Sequence, residues 1–200
     1  MKILSLVLLL TLVSCGGFKA KRVDSATSDD KAMEITDEWV QGDTERAITE
    51  VIKKMRAHRG FKRYLRKIGK EPALFVGEVK NQTSNAYFPI GDMNDELLNL
   101  LSESGDFILV DQAARDNLLK ELTYQNDGMV DPSSVKMVGK QTGADLIVFG
   151  TVYMKPQTRD GKTIKQYTVN LRMTDIEKGV EVMRTRTKIS KYSQQSSSGW

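Results

Sequence analysis

Between residues 43 and 72, hydrophobic residues recur at helical spacing. Asp43 and Thr44 are both suitable N-cap residues for a first helix. Gly60 interrupts the pattern, and Gly69 and Pro72 end it. The pattern therefore predicts two consecutive helices. Their apolar stripes are Ala47, Ile48, Val51, Ile52 and Met55 in the first, and Phe61, Tyr64, Leu65 and Ile68 in the second.

Five short apolar segments further along predict β-strands. The second segment is apolar enough to be buried on both faces. The fourth alternates strictly between apolar and polar residues, so one of its faces is buried. The fifth carries Arg184, Arg186 and Lys188 on one side, a pattern typical of an edge strand. The five segments are residues 73–81, 106–111, 144–154, 166–173 and 180–189.

Further helices are predicted between these strands. One covers residues 93–104, with Gly105 as its C′ residue. Asp111 is placed to cap another helix, and a third begins at Asp131 and ends at Gly143. The apolar stripe of the Asp111 helix consists of Ala114, Leu118, Leu119 and Leu122. Helices between the early strands and hairpin-linked strands at the end predict an α/β fold with a single mixed β-sheet of four to five strands, flanked by helices.

The N-terminus has the layout of a secretory signal. Lys2 precedes an apolar run over residues 3–13, and small residues follow it. A membrane-spanning helix would need ~20 apolar residues, more than this run provides. Residues 12–15, LVSC, resemble a bacterial lipobox, which implies cleavage before Cys15 and acylation of its sulfur and of the new amino terminus. Gly16 follows the cysteine where an inner-membrane retention signal has Asp, and this favours the outer membrane.

The region after the signal peptide divides into three parts. Residues 15–37 are polar and lack periodicity, so we expect a lipidated flexible tether that averages ~25 Å end to end and stretches to ~70 Å. Trp39 is expected to be the first packed residue of a folded domain over residues 38–190. Residues 191–200 form a polar tail, and residues 1–14 are the signal peptide.

Composition and charge fit one ordinary domain with extensions. The 200-residue chain is 40% hydrophobic and 28% charged, with a net charge of +4. This charge is small for a nucleic-acid partner, and a secreted protein does not meet one. Residues 53–71 contain nine basic residues and one acidic residue. This block could dock on anionic lipid headgroups or on an acidic partner; we favour a solvated helix face.

The residues that enzymes need are scarce. His58 is the only histidine and Cys15 the only cysteine, so neither a Ser-His-Asp nor a Cys-His arrangement is evident, and His58 is expected to be a surface residue on a basic helix. Residues 159–163, RDGKT, imitate the end of a P-loop but have Pro156 where the loop needs glycine. Residues 126–131, NDGMVD, lack the alternating ligands of a calcium loop. We predict no enzyme activity, no cofactor and no metal site.

Three segments resemble the LpoB family of outer-membrane lipoproteins. They are PALFVGEVKNQT (72–83), LLSESGDFILVD (100–111) and GKQTGADLIVFGTVY (139–153). The last is shared with the N-terminal domain of TolB and the core of CsgG, so the resemblance implies a TolB N-terminal-like fold. The family implies an activator that binds the periplasmic docking domain of a bifunctional penicillin-binding protein and regulates peptidoglycan synthesis. The tether here is shorter than in the family's best-known members.

A second function stays open: an envelope lipoprotein that serves as a binding or assembly module for another periplasmic partner. A CsgG-like channel is disfavoured because the strands around residues 160–161 are needed for the sheet. Either role needs an exposed contact surface. The candidates are Tyr87 and Phe88 in the loop after the first strand, and Arg184 and Arg186 on the fifth strand. The two aromatic residues could equally well cover the end of the sheet.

Overall fold

The computed structural model describes residues 28, 31, 36–111, 115–133 and 143–194. Cys15, the signal segment and most of the expected tether lie outside these residues. In the part of the chain that is described, we find no helix with the length and apolar character needed to cross a membrane. The elements in chain order are α1 (Gln41–Ala57), α2 (Arg59–Ile68), β1 (Ala73–Asn81), α3 (Ile90–Glu103), β2 (Ile108–Val110), α4 (Arg115–Tyr124) with a π-helical turn at Gln125–Met129, β3 (Leu146–Arg159), β4 (Lys162–Asp175) and β5 (Val180–Gln194).

The five strands form one mixed sheet in the order β2-β1-β3-β4-β5. β1 is parallel to β2 and to β3, because helical crossovers connect these strands in sequence. β3, β4 and β5 are antiparallel and follow one another through short turns. The predicted α/β class with a single mixed sheet is therefore confirmed, and β5 is an edge strand as expected.

The core lies between one face of the sheet and the helices. α1 packs against α3 and β5, α3 packs against β1, and α2 packs against β5. The predicted apolar stripe of α1 is fully buried, and that of α2 is buried at Phe61 and partly buried at the other positions. On β4 the predicted apolar face is buried as expected, but Thr168 on the opposite face is also buried, at 2% exposure. The buried residues of that strand's core face are Tyr167, Val169, Leu171 and Met173.

Helix α1 begins earlier than its two candidate cap residues suggested. Val40 is the N-cap, and Asp43 and Thr44 lie inside the first turn. The Asp43 carboxylate still accepts a hydrogen bond from the Val40 backbone N–H at 3.0 Å. The Thr44 hydroxyl accepts one from the Trp39 indole at 2.8 Å. Both side chains therefore stabilise the start of the helix from within it.

The break between α1 and α2 falls at His58, not at Gly60. His58 has extended backbone angles, and its Nδ1 accepts a hydrogen bond from the Gly60 N–H at 3.1 Å. The expectation of a surface histidine along a helix is thus wrong, since His58 caps α2. Gly60 lies inside α2, where a Cβ would come within 2.3 Å of the Val182 carbonyl oxygen. Its role is to allow α2 to approach β5 closely.

Four of the five strands differ from their predicted extent, since β3 and β4 extend further into their shared hairpin and β2 and β5 also have other bounds. β2 has only three residues, and Ile108 is 50% exposed, so the prediction of burial on both faces is wrong. The reason is its place at the edge of the sheet, where it pairs with β1 alone. β5 continues to Gln194 because β4 pairs with it residue by residue up to Lys162. Residues 191–194, expected in the polar tail, are therefore strand, and residues 195–200 lie outside the described part.

The stretch between β2 and β3, where two helices were predicted, is described only in part. In α4, two residues of the predicted apolar stripe, Leu118 and Leu119, are 45% and 54% exposed. The expected start of this helix after Asp111 falls on residues 112–114, outside the described positions. Asp131 accepts a hydrogen bond from the Ser133 backbone N–H at 2.8 Å, as an N-cap would, but the predicted helix beyond it also falls outside them.

Candidate partner-binding surface

The N-terminal chain joins the domain at one end of the sheet through a network of charged groups. The Asp37 carboxylate lies 3.0 Å from Lys165 Nζ and accepts a hydrogen bond from the Ser193 hydroxyl at 2.5 Å. Glu38 also pairs with Lys165. The Ser193 hydrogen bond and the Lys165 charge hold the pKa of Asp37 below its ordinary value. The direction in which the chain leaves the domain is therefore fixed up to residue 37.

An aromatic cluster seals this junction. The ring of Trp39 lies 5.2 Å from that of Phe88 and 5.0 Å from that of Tyr167, with tilted and edge-on geometry. Trp39 is buried, as predicted for the first packed residue. Burial, with the Glu38 carboxylate nearby, raises the pKa of Tyr167 to about 12. Phe88 is only 4% exposed, so it belongs to the core and presents no face to a partner.

Tyr87, the neighbour of Phe88, points the other way and is 95% exposed. Side-chain amides fix the loop that carries it. Asn81 accepts a hydrogen bond from the Thr83 N–H at 2.8 Å and donates one to the Asn85 carbonyl at 2.9 Å. The Tyr87 N–H donates to the Asn85 side chain at 2.8 Å. The loop thus holds one aromatic ring in the core and the next in solvent.

The predicted arginines lie on the face of the sheet that α1, α2 and α3 leave open. Arg184 and Arg186 alternate along β5 with buried residues of the core face. Arg184 pairs with Glu181 at 2.6 Å. On the neighbouring strand, the Arg172 guanidinium lies 4.4 Å from the centre of the Phe149 ring. This open face is therefore basic, with an aromatic residue next to its arginines.

The structure does not bring all the predicted contact residues into one patch. The Tyr87 loop packs on the helix-covered side of the sheet through Phe88, whereas Arg184 and Arg186 project from the opposite side. Three of these residues are exposed and one is buried. Tyr87 and the arginine pair are therefore separate candidate surfaces.

A third surface is the exposed side of α2, which we call the basic helix face. It is close to β5, because the Gly60 backbone meets the Val182 carbonyl. Among the described residues, no carboxylate lies within 4.0 Å of its cations. Three of the four cations of α1 differ, since Lys53 and Lys54 lie within 4.0 Å of Glu50 and Arg56 pairs with Asp106. The basic helix face consists of Arg59, Lys62, Arg63, Arg66 and Lys67.

Beside this face lies a cleft of about 720 Å³. Two ion pairs line it, Lys70 with Asp145 at 3.1 Å and Lys178 with Asp175 at 3.2 Å. Burial and the charges of the two carboxylates raise the pKa of Tyr64, which forms part of the wall. Sequence reasoning missed this cleft because its walls come from three separate stretches of chain. Across the described positions, no group of three or more His, Cys, Asp or Glu residues could hold a metal ion.

Comparison with known proteins identifies the family. The model of the family described as "Peptidoglycan-synthase activator LpoB" matches residues 43–189. The LpoB C-terminal domain from Escherichia coli is 15% identical and covers 74% of this chain and 99% of its own, with a TM-score of 0.45. The domain from Salmonella enterica is 15% identical, covers 76% and 99%, and has a TM-score of 0.42. A lipoprotein from Neisseria meningitidis is 19% identical, covers 64% and 88%, and has a TM-score of 0.40.

No curated protein matches the chain. The family model, however, spans well over half of the sequence, from the first turn of α1 to the middle of β5. The chain therefore belongs to the LpoB family of peptidoglycan-synthase activators.

Proposed function

We propose that the protein is an outer-membrane lipoprotein, facing the periplasm, that binds a bifunctional penicillin-binding protein and activates its synthesis of peptidoglycan. The family match over residues 43–189 carries this proposal, because it covers almost the whole domain and the family is one of activators. An activator of this kind acts by contact and needs no catalytic groups of its own. The cofactor-free, non-enzymatic role predicted from the sequence agrees with that.

The proposed contacts are the exposed members of the predicted set. Arg184 and Arg186 offer guanidinium groups on the open face, and Tyr87 offers an aromatic ring at the junction end. Arginine and tyrosine are frequent hot-spot residues because they combine contact area with hydrogen-bonding groups. Since these two surfaces lie on different sides of the sheet, they are tested as separate contacts.

The proposed anchor is a lipid on Cys15, as the LVSC motif implies. Two or more acyl chains hold a protein stably on a membrane, whereas a single chain does so only marginally. We expect mass spectrometry of the membrane fraction to show a triacylated Cys15 at the mature N-terminus. Cys15→Ala should leave the protein uncleaved at this site and unacylated. Recovery of wild-type protein as an unmodified, soluble mature form would contradict the anchor.

The test of the function is reconstitution with each bifunctional synthase of the organism. We expect the purified protein to raise the rate of glycan polymerisation on lipid II, and to have no hydrolase or transferase activity alone. Arg184→Glu with Arg186→Glu should weaken direct binding to the synthase. A matched control, Lys155→Glu with Lys162→Glu, makes the same change in net charge on exposed residues of the β3–β4 hairpin and should bind normally.

A second candidate function is an envelope module that binds another periplasmic partner. The polar segment over residues 15–37 is short, and the length of a tether limits which periplasmic partners the domain can contact. This second function is therefore retained. If direct affinity measurements detect no binding to any of the organism's synthases, the activator proposal fails. Capture of a different periplasmic protein from crosslinked envelopes would then support the second candidate.

A further inference from the structure

The basic helix face of α2 is placed and charged as a docking surface. Its five cations are exposed, and no described carboxylate lies within 4.0 Å of them. Uncompensated like charges on one short helix repel each other, and an acidic partner relieves this repulsion. Three of the four cations of α1, by contrast, have carboxylate partners within 4.0 Å, as Arg56 has in Asp106 at 2.7 Å.

The position of this helix in the molecule also matters. The N-terminal chain enters beside Ser193, whereas α2 rests against Val182 on the same strand. At ~3.3 Å per residue, these two points on β5 lie roughly 36 Å apart. The basic helix face is therefore at the end of the domain away from the N-terminal segment. Attachment of the N-terminal segment to a membrane would therefore leave the α2 end of the domain accessible to a partner.

The packing of α2 favours a protein partner over a lipid surface. The apolar side of α2 is committed to the core, with Phe61 buried and Tyr64 and Leu65 packed against it, so the helix has no apolar side to insert into a bilayer. The face also adjoins the arginines of β5, because Gly60 and the helix cap His58 lie beside Val182 and Glu181. The basic helix face and the arginines of β5 together form one basic surface, which continues from α2 onto the open face of the sheet.

We infer that this combined surface, the basic helix face with Arg184, docks against an acidic surface of the partner and is not only the solvated helix face that the sequence alone favoured. The inference rests on the proposed function and deepens it, because it names the contact and the charge of the synthase surface that fits it. The acidic residues of the adjacent cleft are partly neutralised, since Asp175 and Glu177 share Lys178 and Glu181 pairs with Arg184.

The test uses the full mature chain and compares two charge reversals of equal size. Lys62→Glu with Arg66→Glu changes the outer part of the basic helix face, and Lys155→Glu with Lys162→Glu is the control. Affinity for the synthase is measured at low and at physiological salt. We expect the α2 variant to bind at least tenfold more weakly and with a weaker salt dependence, while the control stays within about twofold of wild type in affinity. Unfolding curves should be the same for both, since the four residues are exposed.

Each outcome decides between the proposals. If wild-type protein binds no synthase, both the proposed function and this inference fail. If wild type binds and the α2 variant binds equally well, the function stands and the inference is overturned. Two further measurements compare wild type and the α2 variant by sedimentation with phosphatidylglycerol vesicles and with isolated sacculi. Loss of either interaction in the α2 variant, with synthase binding intact, would assign the face to a membrane or to peptidoglycan and would overturn the inference.

Discussion

Replacing Gly60 by alanine tests whether α2 is held on β5 by direct backbone contact. A Cβ at this position would lie 2.3 Å from the Val182 carbonyl oxygen and 3.0 Å from His58 Cε1. Carbon and oxygen atoms in contact are normally more than 3 Å apart, so α2 or β5 would have to move by about 1 Å. The atom that it meets is a backbone carbonyl of the edge strand β5, at the register shift where Val182 has no partner on β4, and backbone cannot swing aside as a side chain can.

The size of the effect follows from two opposing contributions. Overpacking of this kind typically costs about 1–3 kcal/mol. Alanine recovers at most ~1 kcal/mol through its higher helix propensity. We therefore expect Gly60→Ala to lower the free energy of unfolding by about 1–2 kcal/mol, and the melting temperature by roughly 2–8 °C for a domain of this size.

Gly91 provides the matched control, because it holds the same second position in α3 that Gly60 holds in α2. A Cβ there would meet nothing within 4 Å. Gly91→Ala should therefore be neutral or slightly stabilising. Urea unfolding, followed by the fluorescence of the buried Trp39, measures both variants. Equal stability of the two would refute the close approach of α2 to β5, and with it the placement of the basic helix face.

Three further predictions concern the junction end of the domain. Phe88→Ala should cost ~3–5 kcal/mol because the ring is buried, whereas Tyr87→Ala should change stability by less than ~0.5 kcal/mol; similar effects in unfolding experiments would contradict the opposite orientations of the two rings. Lys191→Met leaves the buried Asp43 carboxylate, 2.7 Å away, without its cation and should cost ~3–5 kcal/mol; a near-neutral urea midpoint would show that the pair is dispensable. Because the native pKa of Asp37 lies below the ordinary value of 3.8, its contribution is present above about pH 4 and is lost as pH falls through the native value. The stability difference between wild type and Asp37→Asn should therefore shrink on acidification, and a constant difference would contradict the assignment.

Local periodicity was enough to predict much of this fold. The α1 stripe and the apolar face of β4 depend on side-chain spacing within one element, and both are buried as predicted. Features that depend on distant partners could not be predicted in this way. The apolar run at Ile108 is compatible with a central or an edge strand, and only the strand order decides between them. The end of β5 is likewise set by its pairing with β4 and not by its own polar sequence.

The candidate surfaces show the same division. The positions of Arg184 and Arg186 on an exposed face follow from the period of two along β5. The different fates of Tyr87 and Phe88 do not follow from a pattern, because adjacent loop residues have no fixed period and the hydrogen bonds of Asn81 and Asn85 decide which ring turns inward. The cleft beside α2 joins residues more than 100 positions apart, such as Tyr64 and Asp175, and no local signal in the sequence marks it.

The geometry of the junction gives the short N-terminal segment a greater effective reach. Ion pairs hold the chain at Asp37 against one end of the sheet, so the domain extends from that point as a rigid body. If residues 15–37 form the flexible tether that the sequence predicts, that tether averages ~25 Å, and β5 adds roughly 36 Å between the junction and α2. If Cys15 carries the lipid anchor that we propose, the basic helix face lies ~36 Å along β5 beyond the point where the anchored chain enters the domain. A tethered regulator with a short tether gains most from a contact surface at its far end, and α2 occupies that end.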